Sequence, residues 1–238
     1  MVKDIFYWIR TLIFYITAIV FGVPWCTFII LTVYLVPEHK RHASFVTTFC
    51  WGIINLARVI CGVRWRVEGE ENIPGQACVV ASNHQSAWET LFLQMLISPQ
   101  STVLKKDLFM IPFFGWALKR LNPIAIDRKD RRSAMQQVKE KGKARLDDNY
   151  WVMIFPEGTR LPWPQIGTLT RGTATLAKYA EVPILPIVHN AGRFWPSFSW
   201  KKTPGEIVVR IGQPMPTNVR DVNELTSDLQ EWMQANHP

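Results

Sequence analysis

The chain has 238 residues, enough for one sizeable domain with its own core and a small addition. Lys and Arg number 27 against 19 Asp and Glu, a formal net charge of +8, while charged residues are only 19% of the chain and hydrophobic ones 48%. That balance excludes a disordered, collagen-like or highly charged chain, and four cysteines without a C-x-x-C pair (Cys26, Cys50, Cys61, Cys78) argue for buried thiols rather than a disulfide framework or zinc site.

The first predicted element is apolar. Thr11 to Val36 runs 26 residues without a charge or a histidine. As a helix it would extend about 39 Å, against a hydrocarbon core of about 30 Å. It is longer than the ~7–15-residue core of a signal peptide, and no A-x-A-like cleavage site follows it. Membrane attachment is the expectation, with a kink at Pro24, and both one tilted span and a shallow hairpin stay open. A second apolar stretch, Ala43 to Ala57, is short for a span and suits a helix in the interface or packed back on the first. Lys40, Arg41, Arg58, Arg64 and Arg66 outnumber Lys3 and Arg10, which places the remaining chain in the cytoplasm.

From Val63 the pattern becomes that of an α/β domain, dividing the chain into N-terminal membrane-associated helices (1–62) and an α/β domain (63–238). Short Val- and Ile-rich runs predict strands at 63–67, 77–81, 151–155, 184–188 and 207–211, with weaker candidates at 102–104 and 124–126. Helical windows fall at 87–97, 132–146, 173–179 and 222–234, and Met135, Val138, Gly142 and Leu146 form an apolar stripe in the second. Strands alternating with helices predict a mixed β-sheet covered by helices.

Candidate chemistry begins after the 77–81 strand, where His84 is followed five positions later by Glu89. In a regular helix five residues turn the chain by roughly 500°, leaving the two side chains about 140° apart. They meet only if His84 lies on the turn before the helix and Glu89 reaches back from its first turn. Such a carboxylate would fix the imidazole tautomer and stabilise the imidazolium. Phe155-Pro156-Glu157-Gly158-Thr159-Arg160 follows another strand, with Pro and Gly permitting a tight turn. Glu157 could bond hydroxyls and Arg160 grip an anion, the alternative being a surface turn closed by their ion pair. No nucleophile elbow, Walker A, dinucleotide fingerprint or H-E-x-x-H occurs.

Asn83-His84 with an acid at the H-x4 position, Lys106-x-Leu108-x-x-x-Pro112-x-x-Gly115, FPEGTR and Val182-Pro183-Ile184-Leu185-Pro186-Ile187 closely resemble, in order and spacing, the glycerolipid acyltransferases. The resemblance covers roughly Val63 to Pro216, and the apolar N-terminus resembles that family's helical membrane-anchoring motif. Two positions depart from the pattern. Glu89 stands where Asp is usual, and Leu169-Thr170-Arg171-Gly172 replaces an aromatic Phe-Lys-x-Gly segment.

The resemblance implies the glycerolipid acyltransferase fold and transfer of a fatty acyl group from acyl-CoA or acyl carrier protein. The implied acceptor is the sn-2 hydroxyl of 1-acyl-glycerol 3-phosphate, giving phosphatidic acid; another lysophospholipid or a lyso-amino-acid lipid is the second reading. It implies His84 as general base and Glu89 as its orienting acid. Lys105, Lys106, Glu157, Gly158, Thr159 and Arg160 would bind the acceptor, with Arg160 and one lysine on its phosphate and Glu157 on its glycerol. No cofactor or metal is expected, only the thioester co-substrate, since a thioester is already activated. Implied partners are the two substrates, membrane lipid and an acyl carrier protein as alternative donor, at the cytoplasmic face of a bacterial inner membrane. Phe194, Trp195, Phe198 and Trp200, beside Lys201-Lys202, either dip into lipid or pack on the domain. The basic pairs Lys105-Lys106, Lys119-Arg120, Arg128-Lys129 and Arg131-Arg132 admit a distant alternative, a membrane-tethered nucleic-acid-binding module, though no RNP, KH or zinc motif supports it.

Overall fold

A computed structural model describes residues 2–126 and 131–238. The chain opens with α1 (Val2–Thr32), which continues through Pro24. A return limb follows, made of α2 (Glu38–Arg41), a π turn over His42–Thr47, α3 (Thr48–Leu56) and a second π turn over Ala57–Cys61. Trp25 Nε1 donates to the Phe45 carbonyl at 3.1 Å, Phe21 stacks on Phe49, and Arg10 Nε donates to the Ile60 carbonyl. The two limbs therefore run antiparallel, as a helical hairpin.

Among the described residues seven strands follow: β1 (Val63–Glu68), β2 (Val79–Ser82), β3 (Gln100–Lys105), β4 (Ile124–Ile126), β5 (Trp151–Ile154), β6 (Ile184–His189) and β7 (Gly205–Ile211). They form one sheet of order β1-β7-β6-β2-β5-β3-β4, parallel except where β6 meets β7, so the mixed sheet expected from the sequence is the observed one. The remaining helices are α4 (Trp88–Leu96), α5 (Phe114–Arg120), α6 (Arg131–Asp147), α7 (Gly172–Ala180), the single turn α8 (Ala191–Phe194) and α9 (Val222–Asn236).

Side-chain alternation along β2 shows how the layers assemble. Cys78 and Val80 enter one apolar cluster with Phe14, Ile54, Trp88 and Phe92, while Val79 and Ala81 enter another with Val138, Leu176, Leu225 and Leu229. The sheet is thus covered by the hairpin and α4 on one face and by α6, α7 and α9 on the other, which is why its strands read as continuous apolar runs. The stripe on α6 lies inward as the sequence indicates: Val138 and Leu146 are buried, and a Cβ at Gly142 would stand 2.7 Å from Leu176. All four cysteines are free and buried. α9 begins with a capping box in which Asp221 accepts from the Asn223 and Glu224 N–H groups and Glu224 accepts from that of Asp221.

The hairpin is fastened to this domain at both ends. Near the N-terminus Lys201 pairs with Asp4 at 2.6 Å and the Lys202 N–H donates to Thr11 Oγ1 at 3.0 Å. At the turn, Arg145 pairs with Glu38 at 3.1 Å and the Tyr150 hydroxyl donates to the Glu38 carbonyl at 3.1 Å. The segments Lys3–Leu35 and Glu38–Cys61 are each long and apolar enough to cross a membrane. Leu12, Ile16 and Val20, four residues apart on α1, are 61%, 54% and 67% exposed. Met110, Ile111, Phe113 and Trp116, before and within α5, are also exposed, and Phe114 reaches Phe49 of the hairpin. An apolar surface this continuous marks a membrane-associated face.

Candidate active site

Strands β2, β5 and β3 are adjacent and parallel, so the loops leaving their carboxyl ends meet at one edge of the sheet. His84 lies two residues beyond β2, and Glu89 sits in the first turn of α4. Glu89 reaches back: its Oε1 accepts from His84 Nδ1 at 2.8 Å, from the Gln85 N–H at 3.1 Å and from the Ser86 N–H at 2.9 Å. The helix's own carboxylate thus pins the N–H groups of the loop that leads into it, Ala87 being the N-cap. An ionised carboxylate only accepts, so His84 carries its proton on Nδ1 and a lone pair on Nε2. The imidazole also stacks on Phe155, with centroids 4.1 Å apart.

Glu157 is turned toward the same residue. Its Oε2 accepts from the His84 N–H and its Oε1 from the Gly167 N–H, each at 2.8 Å, and the side chain is buried. It thus meets backbone, where the sequence reading had it facing the acceptor's glycerol. The spacing within FPEGTR cannot reveal this, because the partners lie in two other loops. Gly158 turns the chain at φ 71°, a left-handed conformation that favours glycine. Gln230 of α9 accepts from the Leu169 N–H and donates to the Gly167 carbonyl, holding that loop from below. Thr170 donates from both N–H and hydroxyl to the Pro156 carbonyl, and Arg171 opens α7.

Thr159 and Arg160 are exposed, and among the described residues Arg160 forms no ion pair. Arg160 lines a cleft of about 420 Å³ together with Tyr15, Ala87 and the segment 195–200. Lys105 ends β3 and Lys106 follows it; both are exposed at the same edge of the sheet, yet neither lines that cleft. The Arg128-Lys129 pair lies outside the described residues. The aromatic segment divides: Trp195 is buried, whereas Phe198 and Trp200 are exposed.

Behind His84 stands a residue that sequence reasoning missed. His189, at the end of β6, accepts the Ala191 N–H on Nδ1 at 3.2 Å and therefore donates from Nε2 to the Asn83 carbonyl at 2.9 Å. The Asn83 side chain donates to the His189 carbonyl at 2.9 Å and accepts from its N–H at 3.0 Å, extending the β2–β6 ladder by one rung. Only the buried strand end preceding it could have signalled this histidine. Burial lowers the His189 pKa and keeps the ring neutral. Burial alone would raise Glu89, but the hydrogen bonds from His84 and Ser86 hold it below the usual carboxylate range. Burial raises Glu157, against the two N–H groups it accepts.

A buried carboxylate, a tautomer-fixed histidine and an aromatic cleft that carries Arg160, on a mixed α/β sheet, together suit acyl transfer. The acyltransferase family model matches residues 64–190, and the chain belongs to that family. It is 43% identical over 228 residues to the 1-acyl-sn-glycerol-3-phosphate acyltransferase of Pseudomonas aeruginosa, covering 94% of this chain and 89% of that protein. It is 33% identical over 166 residues to the human 1-acyl-sn-glycerol-3-phosphate acyltransferase alpha, covering 67% and 58% of the two chains. The crystal structure of the 1-acyl-sn-glycerophosphate (LPA) acyltransferase of Thermotoga maritima shares the fold, with a TM-score of 0.81 at 24% identity over 98% of this chain and 94% of that one.

Proposed function

We propose that this acyltransferase moves a fatty acyl group from a thioester to the sn-2 hydroxyl of 1-acyl-glycerol 3-phosphate. The observation that carries the chemistry is the His84 Nδ1–Glu89 bond of 2.8 Å, with the same carboxylate oxygen pinned by two backbone N–H groups. An alcohol is too weak an acid to be ionised outright by an imidazole, so Nε2 takes the proton as the hydroxyl oxygen bonds the thioester carbon. The carbon–sulfur bond then breaks, and the departing thiolate takes that proton back. Glu89 holds the ring and stabilises the transient imidazolium; Glu157 fixes the backbone of His84. No metal or further cofactor enters this scheme.

Arg160 binds the acceptor's phosphate, with Lys105 or Lys106 adding charge at the same edge. Arg160→Ala is expected to lower kcat/KM by roughly 10- to 100-fold, mostly through the acceptor KM. Arg160→Lys recovers part of this, because an ammonium lacks the bidentate fork. The check is turnover of a radiolabelled acyl thioester against lysophosphatidate and against lysophospholipids with larger head groups. An unchanged acceptor KM with a lowered melting temperature would move the phosphate to Arg171 or Arg128.

The hairpin supplies the membrane contact. A helix of about 46 Å that crossed the bilayer would carry one end through the ~30 Å core, yet both ends are bonded to one α/β domain. We therefore place α1 and its return limb flat in a single leaflet, with the domain on the cytoplasmic face of a bacterial inner membrane. High salt, which shortens screening to about 3 Å at 1 M, is expected to leave the protein on vesicles. Charging the bare face by L12E, I16E and V20E together is expected to release it. Extraction of the wild type by salt alone would refute this arrangement.

A further inference from the structure

Lys202 is 1% exposed, a burial that lysines almost never show unless paired. Among the described residues it forms no ion pair. Its Nζ donates to the Tyr15 hydroxyl at 2.5 Å and to the Trp200 carbonyl at 3.0 Å. The ammonium lies 4.3 Å from the Tyr15 ring centroid, 4.6 Å from Trp195 and 5.6 Å from Phe14. Its backbone N–H meanwhile donates to Thr11 Oγ1. An apolar side chain of similar length would fill this slot at lower desolvation cost. The fold alone does not call for a cation here.

The residues it gathers explain the choice. Tyr15 belongs to α1, whereas Trp195 and Trp200 belong to the segment that walls the Arg160 cleft, and all three line that cleft. The same segment is tied to the catalytic loop, because Ser197 donates to the Gln85 carbonyl from its N–H at 3.2 Å and from its hydroxyl at 2.7 Å. Lys202 therefore stands where the membrane helix, the aromatic wall and the His84 loop are joined.

We propose that Lys202 is a positioning residue for the lipid acceptor: its ammonium clasps the Tyr15–Trp195–Trp200 wall onto α1 and so sets the groove that receives the acceptor's hydrocarbon chain beside Arg160. This rests on the reading of Arg160 as the phosphate contact. Phe198 and Trp200 are 70% and 71% exposed at the mouth of the cleft, where the chain passes in from the leaflet. The ring contacts and the Tyr15 hydrogen bond fix the direction of the clasp as well as its strength, since a cation seeks ring faces and lone pairs that a methylene ignores.

The test uses full-length protein in vesicles and compares K202M, K202R and Y15F with the wild type. Three quantities are read: melting temperature, equilibrium binding of oleoyl- and hexanoyl-lysophosphatidate, and KM for acceptor and donor. K202M is expected to melt at or above the wild type. Its affinity for the oleoyl acceptor should fall roughly tenfold, the equivalent of about two methylenes left unburied. The preference for oleoyl over hexanoyl should shrink by the same factor, with the donor KM changed by less than about twofold. K202R should restore part of the preference and Y15F lose part of it. Should K202M fail to fold, Y15F and K202R decide by the same preference. An unaltered chain-length preference in a folded variant, or equal losses for both chain lengths and the donor, would overturn the proposal. If the wild type binds oleoyl-lysophosphatidate with the expected preference but never acylates it, the groove stands and the acceptor assignment falls.

Discussion

Replacing His84 by Ala is expected to cut turnover by at least ~10²-fold, the usual scale of general-base catalysis. The acceptor KM should move little, because the ring's polar and stacking contacts are made within the protein: its Nδ1 is spent on Glu89 and its face on Phe155. The loop should survive the change. Glu89 keeps the Gln85 and Ser86 N–H groups, and the His84 backbone N–H still reaches Glu157. A loss confined to kcat, measured beside an unchanged circular dichroism spectrum, supports the role. A folded His84→Ala protein with near-normal turnover ends it.

Glu89 separates two effects that are usually confounded. Glu89→Ala takes the acceptor from three donors, two of them N–H groups of the fully buried Gln85 and Ser86, and each abandoned buried donor costs about 1–3 kcal/mol. This variant is expected to melt far below wild type or not to fold. Glu89→Gln behaves differently. Two backbone N–H groups demand an oxygen where Oε1 now sits, so the amide must present its oxygen there, and His84 keeps its tautomer. The charge is lost, and the amide NH2 takes the place of Oε2, which is buried without a hydrogen-bond partner among the described residues; the variant is expected to melt below wild type and to lose roughly 10- to 100-fold in kcat. A fall of about 10⁴-fold, the scale seen when a triad histidine sits in the wrong tautomer, would mean that the amide had flipped. Glu89→Asp keeps the charge and should retain measurable activity. A Glu89→Gln enzyme with wild-type kcat would show that the carboxylate's charge takes no part.

Much of the sheet was legible because each strand is short, buried on both faces and rich in Val or Ile. Even the three-residue β4 registered. α5 was not, since its second residue is a glycine and it follows Pro112. The structure explains that glycine: a Cβ at Gly115 would stand 2.4 Å from the Leu108 carbonyl oxygen, so the close approach of α5 to the 106–110 turn excludes any side chain. In the site, the geometry of His84 and Glu89 followed from a spacing of five at a strand–helix join. Glu157 and Lys202 could not be read that way. Their partners lie 73 residues away at His84 and 187 away at Tyr15, and nothing local to FPEGTR or to Lys201-Lys202 announces them. Of the lysine pair, one member is ion-paired and the other enclosed by rings.

A hairpin laid along the domain and fastened at both ends also changes what concentration means for this enzyme. On the proposed single-leaflet placement, in which no limb crosses the bilayer, the molecule would slide over one leaflet, and its encounters with lipid would be a two-dimensional search. The quantity that sets its rate is then the mole fraction of acceptor in that leaflet. Adding inert phospholipid at fixed total acceptor would slow it as surely as removing substrate, and acceptor confined to the opposite leaflet would be invisible to it until it flipped.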